Sequence, residues 1–271
     1  MKPLLIAATS VSLAFGTGQA VAQDFDRALA AAQVGDFETA LAEWLPLAEQ
    51  GDMNSQINVG IMYSNGNGVP QDHTEAVKWF RLAAEQGLSE AQTYLGEMYE
   101  SGDGVGQDYA EAIKWYRLAA EQENANAQAN LGLLYHAGRG VEEDYALAIK
   151  WYRLAAAQQN EVAYTNLGAM YIDGRGVVQD YAEALKWFRL ASEQGFPQAQ
   201  HNIGRMYQQG TGVLQDNRKA HMWYNISSAN GVVDSAKLRD QIAAEMTPED
   251  ISTAQAMVNT CMSSGYKDCG W

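Results

Sequence analysis

Residues Leu131–Asp144 read LGLLYHAGRGVEED, with Gly138-x-Gly140-Val141 at the centre. The same signature stands at Gly66-x-Gly68-Val69, Gly102-x-Gly104-Val105, Gly174-x-Gly176-Val177 and Gly210-x-Gly212-Val213. Its first glycine falls at 66, 102, 138, 174 and 210, every 36 residues. A fixed period of this length marks a stack of supersecondary units, each burying its apolar face against its neighbours.

On the C-terminal side of the signature an aspartate recurs in the same register: Asp36, Asp72, Asp108, Asp144, Asp180 and Asp216. Aspartate at a helix start accepts hydrogen bonds from free backbone N–H groups. In three copies a glutamate follows three residues later (Glu75, Glu111, Glu183), in the pattern of a capping box. The predicted helix carries Ala76, Ala112, Ala148, Ala184 and Ala220, each four residues before an aromatic: Phe80, Tyr116, Tyr152, Phe188 and Tyr224. Trp44 holds that slot in the first unit. With a small pair such as Ala83-Ala84, this spacing makes one apolar face.

On the N-terminal side lies a second helical pattern, with Ala127, Leu131, Gly132 and Tyr135 matching Ala91, Leu95, Gly96 and Tyr99. A mid-helix glycine is worse than alanine by roughly 1 kcal/mol. Its recurrence at Gly60, Gly96, Gly132, Gly168 and Gly204 predicts that a neighbouring helix touches the backbone there.

The combined pattern, A-x-x-x-L-G-x-x-Y, G-x-G-V, D and A-x-K-W-[YF]-x-L-A-A, resembles the Sel-one-like repeat family, relatives of the tetratricopeptide repeats, over about residues 36–246. The resemblance implies an all-α chain, an α/α superhelical solenoid that serves as a protein-binding scaffold. It further implies that the L-G-x-x-Y helices line a groove. Met246-Thr247-Pro248 departs from the repeat: Thr247 is an N-cap and Pro248 a first helical residue, starting a capping helix that runs to about Met262.

The N-terminus reads as an export signal. Lys2 is the positive region, Leu4–Phe15 a short apolar run, and Ala20-Val21-Ala22 a small-residue site, with cleavage between Ala22 and Gln23. Cys261 and Cys269 are the two cysteines, and an even count in an exported protein reads as a disulfide that staples the end. The expected organisation is a signal peptide over 1–22, an entry helix over 23–35, the solenoid over 36–246 and a cap over 247–271. A net charge of -15 disfavours nucleic acid and anionic membranes, which need lysine and arginine.

No catalytic set, metal motif or cofactor fingerprint emerges. His73, His136, His201 and His221 stand in no metal-ligand spacing, and there is no G-x-S-x-G, P-loop or H-E-x-x-H. The expectation is a protein that is not an enzyme and holds no cofactor or metal. Lysine and arginine recur three apart (Lys78/Arg81, Lys114/Arg117, Lys150/Arg153, Lys186/Arg189), either as a basic stripe for an acidic partner or as solvated, glutamate-paired charge.

Asn58, Asn130, Asn166 and Asn202, with Tyr94 in the second unit, stand two residues before the helix glycine. Asparagine both donates and accepts, which suits clasping an extended peptide; the alternative is a structural bond between repeats. Glu97, His136 and Arg205 vary on the same helices and are expected to set specificity. The function so read is a periplasmic or secreted scaffold that binds a protein or peptide, in the manner of a periplasmic regulator or assembly factor. The alternatives are a secreted effector scaffold and a cell-wall or β-lactam-interacting envelope enzyme. The relatives associated with the latter carry a cysteine pair in every repeat, which this protein lacks.

Overall fold

The computed structural model describes residues 17–270, with side chains from residue 24. Every regular element among them is an α-helix. An entry helix α1 (Thr17–Gln33) precedes α2 (Phe37–Glu49), α3 (Met53–Asn65), α4 (His73–Glu85), α5 (Ser89–Ser101), α6 (Tyr109–Glu121) and α7 (Ala125–Ala137). There follow α8 (Tyr145–Ala157), α9 (Glu161–Asp173), α10 (Tyr181–Glu193), α11 (Pro197–Gln209), α12 (Asn217–Ala229), α13 (Val233–Ala243) and α14 (Pro248–Ser263). The positive region and apolar run of the expected signal segment lie outside the described residues. The backbone of α1 continues without a break through the expected cleavage point.

The protein forms two compact units. One ends at Leu134 and takes in Gly138–Glu142; the other holds Tyr135–Ala137 and everything from Glu143 on. Within each, consecutive helices pack as α/α pairs of a solenoid. The first core joins Phe25 and Ala28 of α1 to Trp44 and Leu47 of α2 and Met62 of α3. Phe25 and Trp44 meet at 5.7 Å between ring centroids. Burying side chains of this size contributes about 1.5–3 kcal/mol each.

The aspartates cap as their position requires. Asp72 accepts from the N–H of Glu75 at 3.0 Å, Asp144 from that of Leu147 at 2.9 Å and Asp180 from that of Glu183 at 3.0 Å. The capping-box expectation fails at its second half. The Asp108 N–H donates to the Tyr99 carbonyl at 2.8 Å, and the same bond recurs from Asp72 to Tyr63 and from Asp180 to Tyr171. With the cap N–H already satisfied, the glutamates turn outward to lysine: Glu75 to Lys78, Glu111 to Lys114 and Glu183 to Lys186, at 2.6–3.1 Å.

The Gly-x-Gly-Val loop is a tight reversal. Gly102, at φ 84°, ends α5 in the left-handed region, and its N–H returns to the Met98 carbonyl. Gln107 then donates to the Glu100 carbonyl at 2.8 Å, as Gln71, Gln179 and Gln215 do in their own loops. The helices on either side of such a loop (α3 with α4, α5 with α6, α9 with α10, α11 with α12) are more extensively packed than those joined at the other turn. The tight structural unit is therefore helix, glycine loop, aspartate-capped helix, half a period out of phase with units counted from Asp36.

At the other turn the backbone again needs a left-handed residue. Gly51, Gly87, Gly195 and Gly231 supply it, whereas Glu123 and Gln159 hold the same slot with φ of 63° and 62°.

Candidate functional site

The glycine-loop pairs within each unit build the same niche, from the second half of one helix, the aromatic of the next and the asparagine slot of the one after. Its base is the contact predicted at the mid-helix glycine, and the group of the neighbouring helix that touches the backbone there is an aromatic ring. A Cβ on Gly60 would stand 2.7 Å from Phe80, on Gly96 2.6 Å from Tyr116, and on Gly204 2.8 Å from Tyr224. The ring, so seated, aims its edge at a residue sixteen positions earlier.

In three repeats that residue is a polar partner for a tyrosine ring, whereas Ser64 precedes Phe80 in the first. Tyr116 donates to Glu100 Oε2 at 2.9 Å, and Tyr224 donates to Gln208 Oε1 at 2.7 Å. Tyr152 faces His136 Nδ1 at 3.5 Å. Where the earlier residue is the apolar Ile172, the ring is Phe188. Burial raises the Tyr116 hydroxyl, and the Glu100 charge raises it further, so it remains a donor.

The niches differ in chemistry. The first is filled: Tyr94, where other units have asparagine, stacks on Phe80 with centroids 5.2 Å apart. Burial, then Glu97, pushes its hydroxyl up to about 12. The second is polar, lined by Glu97, Glu100, Tyr109, Tyr116, Asn130 and Arg139. Asn130 Nδ2 lies 3.5 Å from Glu97 Oε1, and Arg139 reaches Glu100 at 4.0 Å. Burial, then the neighbouring Glu100 charge, raises the Glu97 carboxyl to about 7, against the lowering effect of Asn130.

In the third, His136 packs edge-on to Tyr145 at 5.6 Å, under Arg175 at 5.8 Å from the same ring. Burial, then Arg175, lowers the His136 pKa. Asn166 donates to the Val162 carbonyl of its own helix at 2.8 Å. The fourth is an apolar recess of about 180 Å³ over Ala169, Ile172, Phe188 and Met206, with Asn202 and Arg205 beside it. A fifth opens between Gln208, Asn217, Leu238 and Ile242.

The sequence-predicted residues are thus sorted by the fold. Asn130, Glu97, Asn202 and Arg205 line open niches. Tyr94 plugs one, and Asn166 is turned to its own backbone. Asn58 is a correction: it is wholly buried in α3 and bonded, so it offers nothing to a partner. Tyr116 and Phe188, read from the sequence as core aromatics, were not expected in the niches; Glu100 and Ile172 vary on the same set of helices as Glu97 and Arg205. The sixteen-residue spacing, with tyrosine after Glu100, His136 and Gln208 and phenylalanine after Ile172 and Ser64, is readable once the repeats are laid over one another.

The supposed basic stripe is largely paired. Beyond the lysine–glutamate bonds, Arg81 donates to the Tyr99 hydroxyl at 2.6 Å and Arg153 to that of Tyr171 at 3.0 Å. Arg117 and Arg189 also have partners. Glutamine pairs join the repeats: Gln86 donates to the buried Gln56 at 2.7 Å and Gln122 to the buried Gln92 at 2.9 Å. At the C-terminus Cys261 is joined to Cys269. The enclosed Tyr266 accepts from Asn230 Nδ2 at 3.1 Å and covers Gly195. Among the described residues no group of three or more His, Cys, Asp or Glu could hold a metal ion. No helix there is long and apolar enough to cross a membrane.

The sequence model of the Sel1 repeat matches five times, at residues 54–88, 89–124, 125–160, 162–196 and 197–232. These repeats take the phase of the tight helix–loop–helix pairs. A solved Sel1 repeat protein from Oxalobacter formigenes is 31% identical, with a TM-score of 0.76 over 88% of this chain and 99% of that one. The protective antigen c5321 of uropathogenic Escherichia coli, described as having an SLR fold, is 32% identical, with a TM-score of 0.71 over 91% of this chain and 57% of that one. The immunity protein Pa5087 from Pseudomonas aeruginosa, 18% identical with a TM-score of 0.51 over 78% of this chain and 81% of that one, shares the fold alone. No curated protein matches the sequence.

Proposed function

The chain belongs to the Sel1 repeat family, whose repeats mediate protein–protein interaction, and on that premise we propose that it is an exported, non-catalytic scaffold that holds a segment of a partner protein in its open niches. The observation that carries this reading is the niche itself: one invariant frame whose lining changes from carboxylates to apolar side chains while the glycine–ring base stays constant. Variable chemistry on a constant frame is what recognition of successive side chains requires. A catalytic site would instead need a nucleophile or base with an orienting partner, gathered at one place.

Export to the periplasm is supported by the Lys2, Leu4–Phe15 and Ala20-Val21-Ala22 pattern and by a disulfide at the far end. On this reading residues 1–22 are removed, 23–35 form the entry helix, 36–246 the repeats and 247–271 the cap. Asn130 and Asn202 contribute amides to the partner's backbone, and Glu97 and Arg205 read its side chains.

The test is affinity capture from an envelope extract with the protein beginning at Gln23, against the Asn130→Ala/Asn202→Ala double variant. The reading expects one dominant partner protein, lost in the variant while helicity and melting temperature are kept. A partner captured equally by both proteins contradicts it. Absence of any protein ligand, with turnover or covalent labelling by a reporter β-lactam, would favour the envelope-enzyme alternative.

A further inference from the structure

The fourth niche departs from the others in a way that selects its occupant. Phe188 stands where Tyr116, Tyr152 and Tyr224 carry a hydroxyl, and Ile172 where Glu100, His136 and Gln208 accept or face it. Both polar groups are deleted together. What remains is a recess of about 180 Å³ floored by Ala169, Ile172, Phe188 and Met206. That volume suits one large aliphatic side chain, and the apolar floor gains from burying an apolar occupant.

The rim adds a second requirement. Arg205 projects from α11 beside the recess, is exposed, and makes no ion pair or hydrogen bond among the described residues. The acid beside it, Asp173, has its own cation, with Arg175 Nε at 3.4 Å. Asn202, Gln209 and Thr211 add neutral donors at the same rim. A planar guanidinium with nearby amide and hydroxyl donors matches a carboxylate. The net charge of -15 opposes an acidic partner at long range, but beyond about 10 Å it is screened at moderate salt, and the contact is decided locally.

We propose that this recess receives a large aliphatic side chain of the partner segment while Arg205 holds a carboxylate immediately next to it. The carboxylate belongs either to an acidic residue or to the C-terminus of the partner. The biological occupant rests on the scaffold reading above; the recess itself is testable without any partner.

The test is a titration of the full-length protein, with methyl-labelled isoleucine and methionine, by three probes. N-acetyl-leucine carries a terminal carboxylate, N-acetyl-aspartyl-leucinamide the carboxylate of an aspartate, and N-acetyl-leucinamide none. Ligands this small bind in the roughly millimolar range. The proposal expects saturable shifts of the Ile172 and Met206 methyls with at least one carboxylate probe, and the tighter of the two identifies the source. It expects at least fivefold weaker binding of N-acetyl-leucinamide and an equal loss in Arg205→Gln. Phe188→Tyr, a residue the same slot already holds in three other repeats, should weaken all three probes.

No shift with either carboxylate probe would overturn the proposal. So would equal binding of all three probes, or binding indifferent to Arg205→Gln. Failure of partner capture would leave these outcomes unaffected, so the two readings fail separately.

Discussion

The ring of Tyr116 lies against Gly96, so close that a Cβ at Gly96 would stand 2.6 Å from Tyr116 Cε1. One contact explains both the glycine inside α5 and the aromatic inside α6. It also sets the depth of the niche above it.

Gly96→Ala should therefore destabilise, although alanine is the better helix former by about 1 kcal/mol. Overpacking against a fully buried ring predicts a net loss of about 1–3 kcal/mol, read as a lower urea midpoint. Gly106→Ala is the control, because nothing lies within 4 Å of its added Cβ and its φ is unstrained. A loss at Gly106 as large as at Gly96 would remove the ring contact as the cause.

Glu123 and Gln159 occupy a left-handed slot that glycine fills in four other repeats. A side chain with a Cβ in that region is strained by about 1 kcal/mol, partly offset by the greater freedom of glycine in the unfolded state. Glu123→Gly and Gln159→Gly should each stabilise by roughly 0.5 kcal/mol, and together raise the melting temperature. A fall in both would contradict the assignment of the turn.

Glu97 titrates near 7 in the fold because burial disfavours its anion, with Glu100 adding to the effect. The folded protein binds the proton more tightly than the unfolded one does. Its contribution to stability is complete below the ordinary glutamate pKa of about 4.3 and is lost as pH rises through 7. Glu97→Gln should therefore leave stability at pH 4 nearly unchanged and raise it at pH 8, flattening the melting temperature against pH. An identical pH dependence in both proteins would show Glu97 to be solvated.

The Cys261–Cys269 bond closes a short loop, eight residues apart in sequence, that holds Tyr266 against Asn230. Its loss should cost about 2–3 kcal/mol, and in a repeat array that effect stays local. Hydrogen exchange in the double Cys→Ser variant should quicken in α14 and at the end of α12 while α3 to α6 keep their protection. Uniform quickening along the protein would argue against a local staple.

The period, the helix pairs and the aspartate caps were legible because each repeats a residue with one physical job. The niche chemistry was only half legible. Asn130 and Asn202 fall in the niches as spacing suggested, but Asn58 occupies the same register and is buried. Register along a helix says which residues share a face; it does not say which repeat has that face covered. The capping-box glutamates misled for a similar reason. Their intended partner, the Asp N–H, is taken by a tyrosine carbonyl nine residues back, a tertiary fact absent from the local pattern.

The central claim is that the partner lies over the niches and not on the outer faces of the aspartate-capped helices. A photoreactive amino acid at residue 209, at the rim of the apolar niche, and another at residue 118, on the exposed face of α6, test it directly. Irradiated in envelope extract, the protein labelled at 209 should yield a discrete cross-linked partner that the protein labelled at 118 does not. Cross-linking from 118 alone, or equally from both, would contradict the account.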